Sequence, residues 1–241
     1  MEISPDTIIF WQWGPVSLNA TIVFTWMIMA LLVLVSWLVT RRLAVEGKLT
    51  RWQMFLETVI SYIRREIREI TQSDPDIYLP FIGTLFLYIS VSNFLSFVPK
   101  YNPPTGSITT TAALALCVFF AVPVFGISRA GLKGYLSRYI EPSVFMLPFN
   151  IIGEFSRTLA LAVRLFGNVM SGTMIVGILL SIAPLFLPVI MEALGLLIGQ
   201  IQAYIFAVLA TVYIASATRA YEEKKKEKME KAEGGMNNGQ H

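Results

Sequence analysis

The chain has 241 residues, 55% of them hydrophobic and only 15% charged, with a formal net charge of +3. Soluble domains carry about 25% charge, and here the charges crowd at roughly 41–76, 129–141 and 219–233, leaving long apolar stretches between them. A soluble core of this size buries one such stretch but not five, so a water-soluble fold is excluded; the basic residues flank the apolar runs, which points to membrane orientation and away from nucleic acid.

The N-terminal segment, 1–15, is acidic and aromatic (MEISPDTIIFWQWGP). It lacks the basic start of a cleaved signal peptide and the Arg-rich character of a transit peptide, so the first span is expected to be retained. That span covers about 18–39 and stops at Arg41 and Arg42, with Trp11, Trp13, Trp26 and Trp37 as candidate interfacial anchors. In 50–71 the apolar residues Trp52, Phe55, Leu56, Val59, Ile60, Ile63, Ile67 and Ile70 recur at three- and four-residue steps, with Arg51, Glu57, Ser61, Arg64, Arg65 and Arg68 on or near the other face. This pattern predicts an amphipathic helix with too many charges to span, lying in the bilayer interface. The alternative for it is a helix that docks on a soluble partner.

Asp74-Pro75-Asp76 breaks the chain before a second span at 78–98. A Pro/Gly turn over 99–106 leads to a third at 108–127, kinked near its end by Pro123, and a basic loop is expected over 128–142. The last two segments, 143–182 and 189–218, are unusually long. Forty helical residues reach about 60 Å against a hydrocarbon core of about 30 Å. Such helices must tilt steeply, bend or run obliquely. The tail, 219–241, is charged and then Gly/Asn-rich, and reads as a fraying helix end running into disorder. Fold class is therefore an all-α integral membrane protein, with five membrane-embedded helices, one interfacial amphipathic helix, and the last two helices forming a long oblique hairpin.

Lys and Arg number none before the first span, seven over 41–68, one in the 99–107 turn, three over 128–142, none over 183–188 and six over 219–231. With five spans, low and high counts alternate. The positive-inside rule then puts the N-terminus outside and the C-terminal tail in the cytoplasm.

Arg164 carries the sharpest chemical signal, deep in Leu159-Ala-Leu-Ala-Val-Arg-Leu-Phe-Gly167. An arginine at the bilayer centre costs at least ~2.5–3.5 kcal/mol, and its guanidinium cannot escape by losing a proton. A carboxylate, carbonyls or water must compensate it; the bland alternative is a snorkelling side chain or a static salt bridge. Arg157, Arg164 and Ser171 recur every seven residues and Asn168 follows four after Arg164, so all four share one side of a helix. Gly167 and Gly172 leave room for another helix to approach. On the last helix, Gly195 and Gly199 form a small-xxx-small pattern, and Gln202 and Glu192 add polar groups that make it a partner surface for Arg164. Glu154 and Glu192 are the acids nearest the middle of the long segments, suited to an ion pathway or to a helix end at the interface. The lone Cys117 excludes an intramolecular disulfide and a zinc cluster and reads as a small core residue, and the single histidine is His241, so neither metal nor cofactor is called for.

The stretch Ala160-Leu-Ala-Val-Arg-Leu-Phe-Gly-Asn168 resembles the arginine signature of subunit a of F-type rotary ATP synthases. Ile201-Gln-Ala-Tyr-Ile-Phe206 with Ala207-Val-Leu-Ala-Thr-Val-Tyr213 resembles that family's last-helix motif, and Ser92-Asn93-Phe94 and Thr109-Thr-Thr-Ala-Ala-Leu-Ala-Leu116 are similar too. The resemblance covers about 50–217. It implies a non-catalytic, ion-translocating stator subunit with two offset half-channels against a ring of c subunits. Its implied partners are that c ring, the b subunits of the peripheral stalk, the F1 sector indirectly and the lipid bilayer, in a bacterial or archaeal cell (inner) membrane. Arg164 matches the family's essential arginine, and Asn168 and Gln202 the polar residues near it. The implied ring-facing contacts are Gly167, Ser171, Gly172, Gly195 and Gly199. Where many members have an acid or His five residues after the Asn, this chain has Thr173; where some have His, it has Gly195; an acid of the second span is replaced by Ser96. Glu192, one turn before Gly195, is expected to supply the missing carboxylate. The competing reading is a free-standing secondary transporter, which should show internal repeats, and no second copy of the Arg motif exists. An intramembrane hydrolase would need a nucleophile–base pair or metal ligands that the chain lacks.

Overall fold

The computed structural model describes residues 9–13, 16–41, 51–98, 101–140, 146–183 and 186–237. The described residues begin with a short antiparallel hairpin, β1 (Ile9–Trp13) and β2 (Val16–Asn19), a small exception to the all-α expectation. The elements described after it are helical: α1 (Ala20–Thr40), α2 (Arg51–Thr71), α3 (Leu79–Phe94), α4 (Ile108–Ile140), α5 (Met146–Ile182) and α6 (Leu187–Asn237). Five of these helices are long and apolar enough to cross a membrane, over Ala20–Leu38, Leu79–Phe97, Ile108–Arg129, Leu147–Ile182 and Leu187–Thr218.

The first span stands at the rim, with Trp26, Val33 and Trp37 facing outward and Ile28 buried. A hydrogen bond from the Tyr88 hydroxyl to Thr25 Oγ1 (3.3 Å) ties it to α3. The guanidinium of Arg41 lies 4.8 Å from the Trp37 ring, a cation–π pair at the helix end. Trp11, Trp13 and Trp52 have side chains outside the described residues.

As its periodicity requires, α2 is amphipathic. It buries Ile63 and Ile67 and exposes Arg64, Arg65, Arg68 and Glu69. Arg64 pairs with Asp76 at 2.7 Å, across the turn into α3. Gln72 closes the helix in the left-handed region (φ 52°), its N–H donating to the Arg68 carbonyl. A short 3-10 turn at Pro75–Ile77, capped by Asp74, then redirects the chain.

Three expectations need correction. Cys117, expected as a small core residue, is exposed on α4. The loop expected over 128–142 is helical as far as Ile140: α4 continues through two helical pieces joined at Gly131 (φ 69°, ψ 163°), a conformation that favours glycine. Leu132, Leu136 and Ile140 recur every four residues, which supports a helix among the basic residues. Glu141 and Pro142 lie outside the described residues, and within α4 the non-helical dihedral falls at Gly131, not Pro123. The tail is likewise helical to Asn237 rather than fraying after 218. The Glu222/Lys226 and Glu227/Lys231 pairs have the i, i+4 order that stabilises an exposed helix.

The core lies where α3, α4, α5 and α6 meet, built from Ile82 and Ile89 of α3, Val118 of α4, Leu161 and Leu165 of α5, and Phe206 and Ile214 of α6. Buried alanines at 203, 207, 210 and 217 let neighbours approach the α6 backbone closely. In lipid, such close packing holds helices together, because lipid tails are as apolar as leucine. At 37 residues α5 is about 55 Å long. A core of about 30 Å holds it only at a steep incline.

Candidate ion-pathway site

The α5–α6 pair is antiparallel, and two contacts fix its register. Asn168 Nδ2 donates to Gln202 Oε1 at 2.8 Å, and the Arg157 guanidinium lies 5.8 Å from the Tyr213 ring. Both contacts obey one register, which puts Glu154 level with Ser216 and Glu192 level with Ile178. The two acids therefore fall toward opposite ends of the hairpin. Along the helix axes they stand on the order of 20 Å and 15 Å from the Asn168–Gln202 bridge.

Arg164 occupies the midpoint of α5, about 27 Å along the axis from either end. Half the hydrocarbon thickness is about 15 Å. Its helix is pinned by the buried residues Leu161, Ala162 and Leu165, which lie to one side of Arg164, while Arg164 itself is exposed. Among the described residues no carboxylate pairs with it. The contrast with Arg157 on the same row is direct: that arginine is engaged by an aromatic ring of α6, and Arg164 has no ion-pair partner among the described residues.

Gln202 is 2% exposed. One end of its amide accepts from Asn168; the other, Nε2, is buried without a partner among the described residues. Buried donors are almost always satisfied, so this orphan marks the seam as a place with hydrogen-bonding capacity to spare. Ser171 and Thr173 spend their hydroxyls on carbonyls of their own helix, at Asn168 and Met170.

The remaining predicted residues divide. Gly167, Gly172 and Gly195 have open space where a Cβ would stand. Gly199 does not: a Cβ there would lie 3.0 Å from Asn93 Cβ, so this glycine serves α3 rather than an open face. Glu192 is exposed on the first turns of α6, with no ion pair to Arg164 among the described residues. Glu154 is half-buried near the start of α5, with the Thr158 hydroxyl donating to its carbonyl.

A polar latch between α3 and α6 escapes the sequence reading. Asn93 Nδ2 donates to the Gly199 carbonyl (2.8 Å) while its Oδ1 accepts from Thr105 Oγ1 (2.9 Å). Next to it, Gln200 Nε2 donates to the Ser90 carbonyl (3.0 Å) and Ser90 Oγ donates to Gln200 Oε1. The latch sits two and three residues before Gln202 and fixes the rotation of α6 that aims Gln202 at Asn168. An asparagine in an apolar span and a second glutamine beside Gln202 were the available signals.

Residues 22–215 match the family model described as ATP synthase A chain. The chain is 62% identical to ATP synthase subunit a 2 of Acaryochloris marina, over 91% of this chain and 94% of that protein. It is 59% identical to ATP synthase subunit a of Albidiferax ferrireducens, over 93% and 97%. With ATP synthase subunit a 1 of Chlorobaculum parvum it shares 57% identity, over 92% and 99%. A match to the family model across most of the chain, with relatives this similar over nearly their whole length, makes the chain a multi-pass membrane protein of the ATP synthase subunit a family.

Proposed function

We propose that this chain is the ion-translocating stator of an F-type ATP synthase membrane sector and couples the flow of H⁺ or Na⁺ to rotation of a c ring. It makes and breaks no covalent bond; nucleotide chemistry belongs to other subunits of the complex. The observation that carries the reading is Arg164: a permanent cation at the centre of α5, exposed, and unpaired with any carboxylate among the described residues. A cation in hydrocarbon needs a compensating group, and here that group is a carboxylate on a neighbouring subunit.

The ring carboxylate passes the exposed faces of α5 and α6. Opposite Arg164 at about 4 Å, with an effective dielectric near 20, the attraction is on the order of 4 kcal/mol. That lowers the carboxylate pKa by roughly 3 units, enough to strip its bound cation. Arginine stays charged throughout, so it also blocks a direct leak past the ring. Asn168 and Gln202 hold the seam beside it. The opposite placement of Glu154 and Glu192 along the hairpin supports two half-channels, Glu192 serving the outer one and Glu154 the inner. In this reading the N-terminus is outside, the C-terminal tail is cytoplasmic in a bacterial or archaeal cell membrane, and b subunits brace the chain against the F1 sector.

Arg164→Ala in the reconstituted complex is expected to abolish ion-driven ATP synthesis with the complex still assembled. Arg164→Lys is expected to impair synthesis, because a desolvated lysine can lose its proton. Normal coupled synthesis in the Ala variant would overturn the proposal.

A further inference from the structure

A second polar station borders the same open face. Around α6, the side bearing Gln202 and Tyr213 meets α5. The side bearing Gly199 and Gln200 meets α3. Tyr204 meets α2, where its hydroxyl donates to Glu66 Oε2 at 3.1 Å and its ring lies 6.5 Å from that of Tyr62. Between the α5 side and the α2 side, α6 is uncovered, exposing Leu194, Leu197, Ile198 and Ile201. At 100° per residue Tyr204 falls beside Leu197 and Ile201 on the edge of that strip. The open face is therefore bounded on one side by the Arg164–Asn168–Gln202 seam and on the other by the Glu66–Tyr204 pair. The two are separated by about one helix diameter, on the order of 10 Å.

Glu66 is a half-buried carboxylate with no ion-pair partner among the described residues. Its neighbours on α2 are otherwise engaged: Arg65 binds Glu69 and Arg64 binds Asp76. A carboxylate held by a phenol, with oxygen lone pairs to spare and a charged helix face leading away from it, can accept a proton or lend an oxygen to a passing monovalent cation.

We propose that Glu66 and Tyr204 form a relay that passes the transported cation between the ring-facing surface and the aqueous phase on the α2 side. This rests on the stator reading above. The cation taken up by Glu66 is released to water on each passage, which frees the carboxylate oxygens for the next.

Glu66→Gln tests it sparingly, since the amide oxygen still accepts from Tyr204 and the α2–α6 contact is kept. In ATP-driven pumping by the reconstituted complex, cation enters from the α2 side. Glu66→Gln is expected to raise the apparent KM for cation on that side at least tenfold, with Glu66→Asp restoring most of it. A change in maximal rate alone, or a KM within twofold of the parent, overturns the relay. Should Glu66→Gln fail to assemble, Tyr204→Cys in a Cys117→Ala chain decides instead. A membrane-impermeant thiol reagent applied from the α2 side is expected to label it and block pumping; no labelling, or labelling only from the other side, overturns the proposal. If Arg164→Ala abolishes coupling while Glu66→Gln behaves as the parent, the relay fails and the stator reading stands. If Arg164→Ala retains coupling, the stator reading itself fails.

Discussion

Gly199→Ala adds one methyl group where α6 crosses α3. That carbon would lie 3.0 Å from Asn93 Cβ and 3.2 Å from both Cγ and Nδ2 of the same side chain. Ordinary contact requires several tenths of an ångström more, and Asn93 is poorly placed to give way, because its amide is held by the Gly199 carbonyl and by Thr105. Overpacking costs about 1–3 kcal/mol, and each weakened hydrogen bond adds roughly 1 kcal/mol. With both bonds weakened, a total of about 3–5 kcal/mol is expected if α6 keeps its rotation. If α6 rotates instead, Gln202, three residues on, loses its aim at Asn168. Thermal unfolding of the purified complex and ion-driven ATP synthesis in vesicles, measured together, separate these routes. The first route lowers the unfolding midpoint and the second lowers coupling. An alanine variant that matches the parent in both would refute the latch as a positioning device.

Gln202→Leu removes the acceptor of the Asn168 hydrogen bond and is expected to lower coupled synthesis about fivefold, the equivalent of roughly 1 kcal/mol, in the same vesicle assay. Gln72→Gly relieves a left-handed residue at the end of α2 and is expected to raise stability by about 0.5–1 kcal/mol, read as a higher unfolding midpoint. Burial pushes the Tyr101 hydroxyl above its ordinary range. Its contribution to stability is then fully present below tyrosine's usual value of about 10 and is lost as pH rises beyond it. Tyr101→Phe should flatten that alkaline loss in an unfolding series, and at neutral pH it should cost little, since the hydroxyl is buried without a well-formed hydrogen bond.

The spans were legible because a bilayer imposes a length and an apolar composition on whatever crosses it, and those two properties are written in the chain directly. The row Arg157, Arg164, Asn168 and Ser171 was legible for a similar reason, since charge in an apolar run cannot be accidental packing. Helical periodicity shows which residues share a face, but not which neighbour that face meets. Gly199 reads as part of an open surface, yet Asn93 stands against it, and Glu66 is one charge among many on α2, distinguished only by its hydrogen bond from Tyr204. The basic stretch after Arg129 read as a loop because charge ended the span there. Only the left-handed conformation of Gly131 reveals a break between two helices. Glu192 reads from the sequence as a pathway acid, and only the antiparallel register places it about ten residues along α6 from Gln202.

The central claim is that the open faces of α5 and α6, with Arg164 at their seam, meet the ion-binding acid of a rotating ring. Disulfide trapping tests it most directly. Ser171→Cys and Ile201→Cys, each in a Cys117→Ala chain, are paired with a cysteine beside the ring carboxylate, with Val33→Cys on the outward face of α1 as the control. Both hairpin positions should cross-link to the ring and Val33→Cys should not. Absence of cross-links from the hairpin, or equal trapping at position 33, would contradict the account.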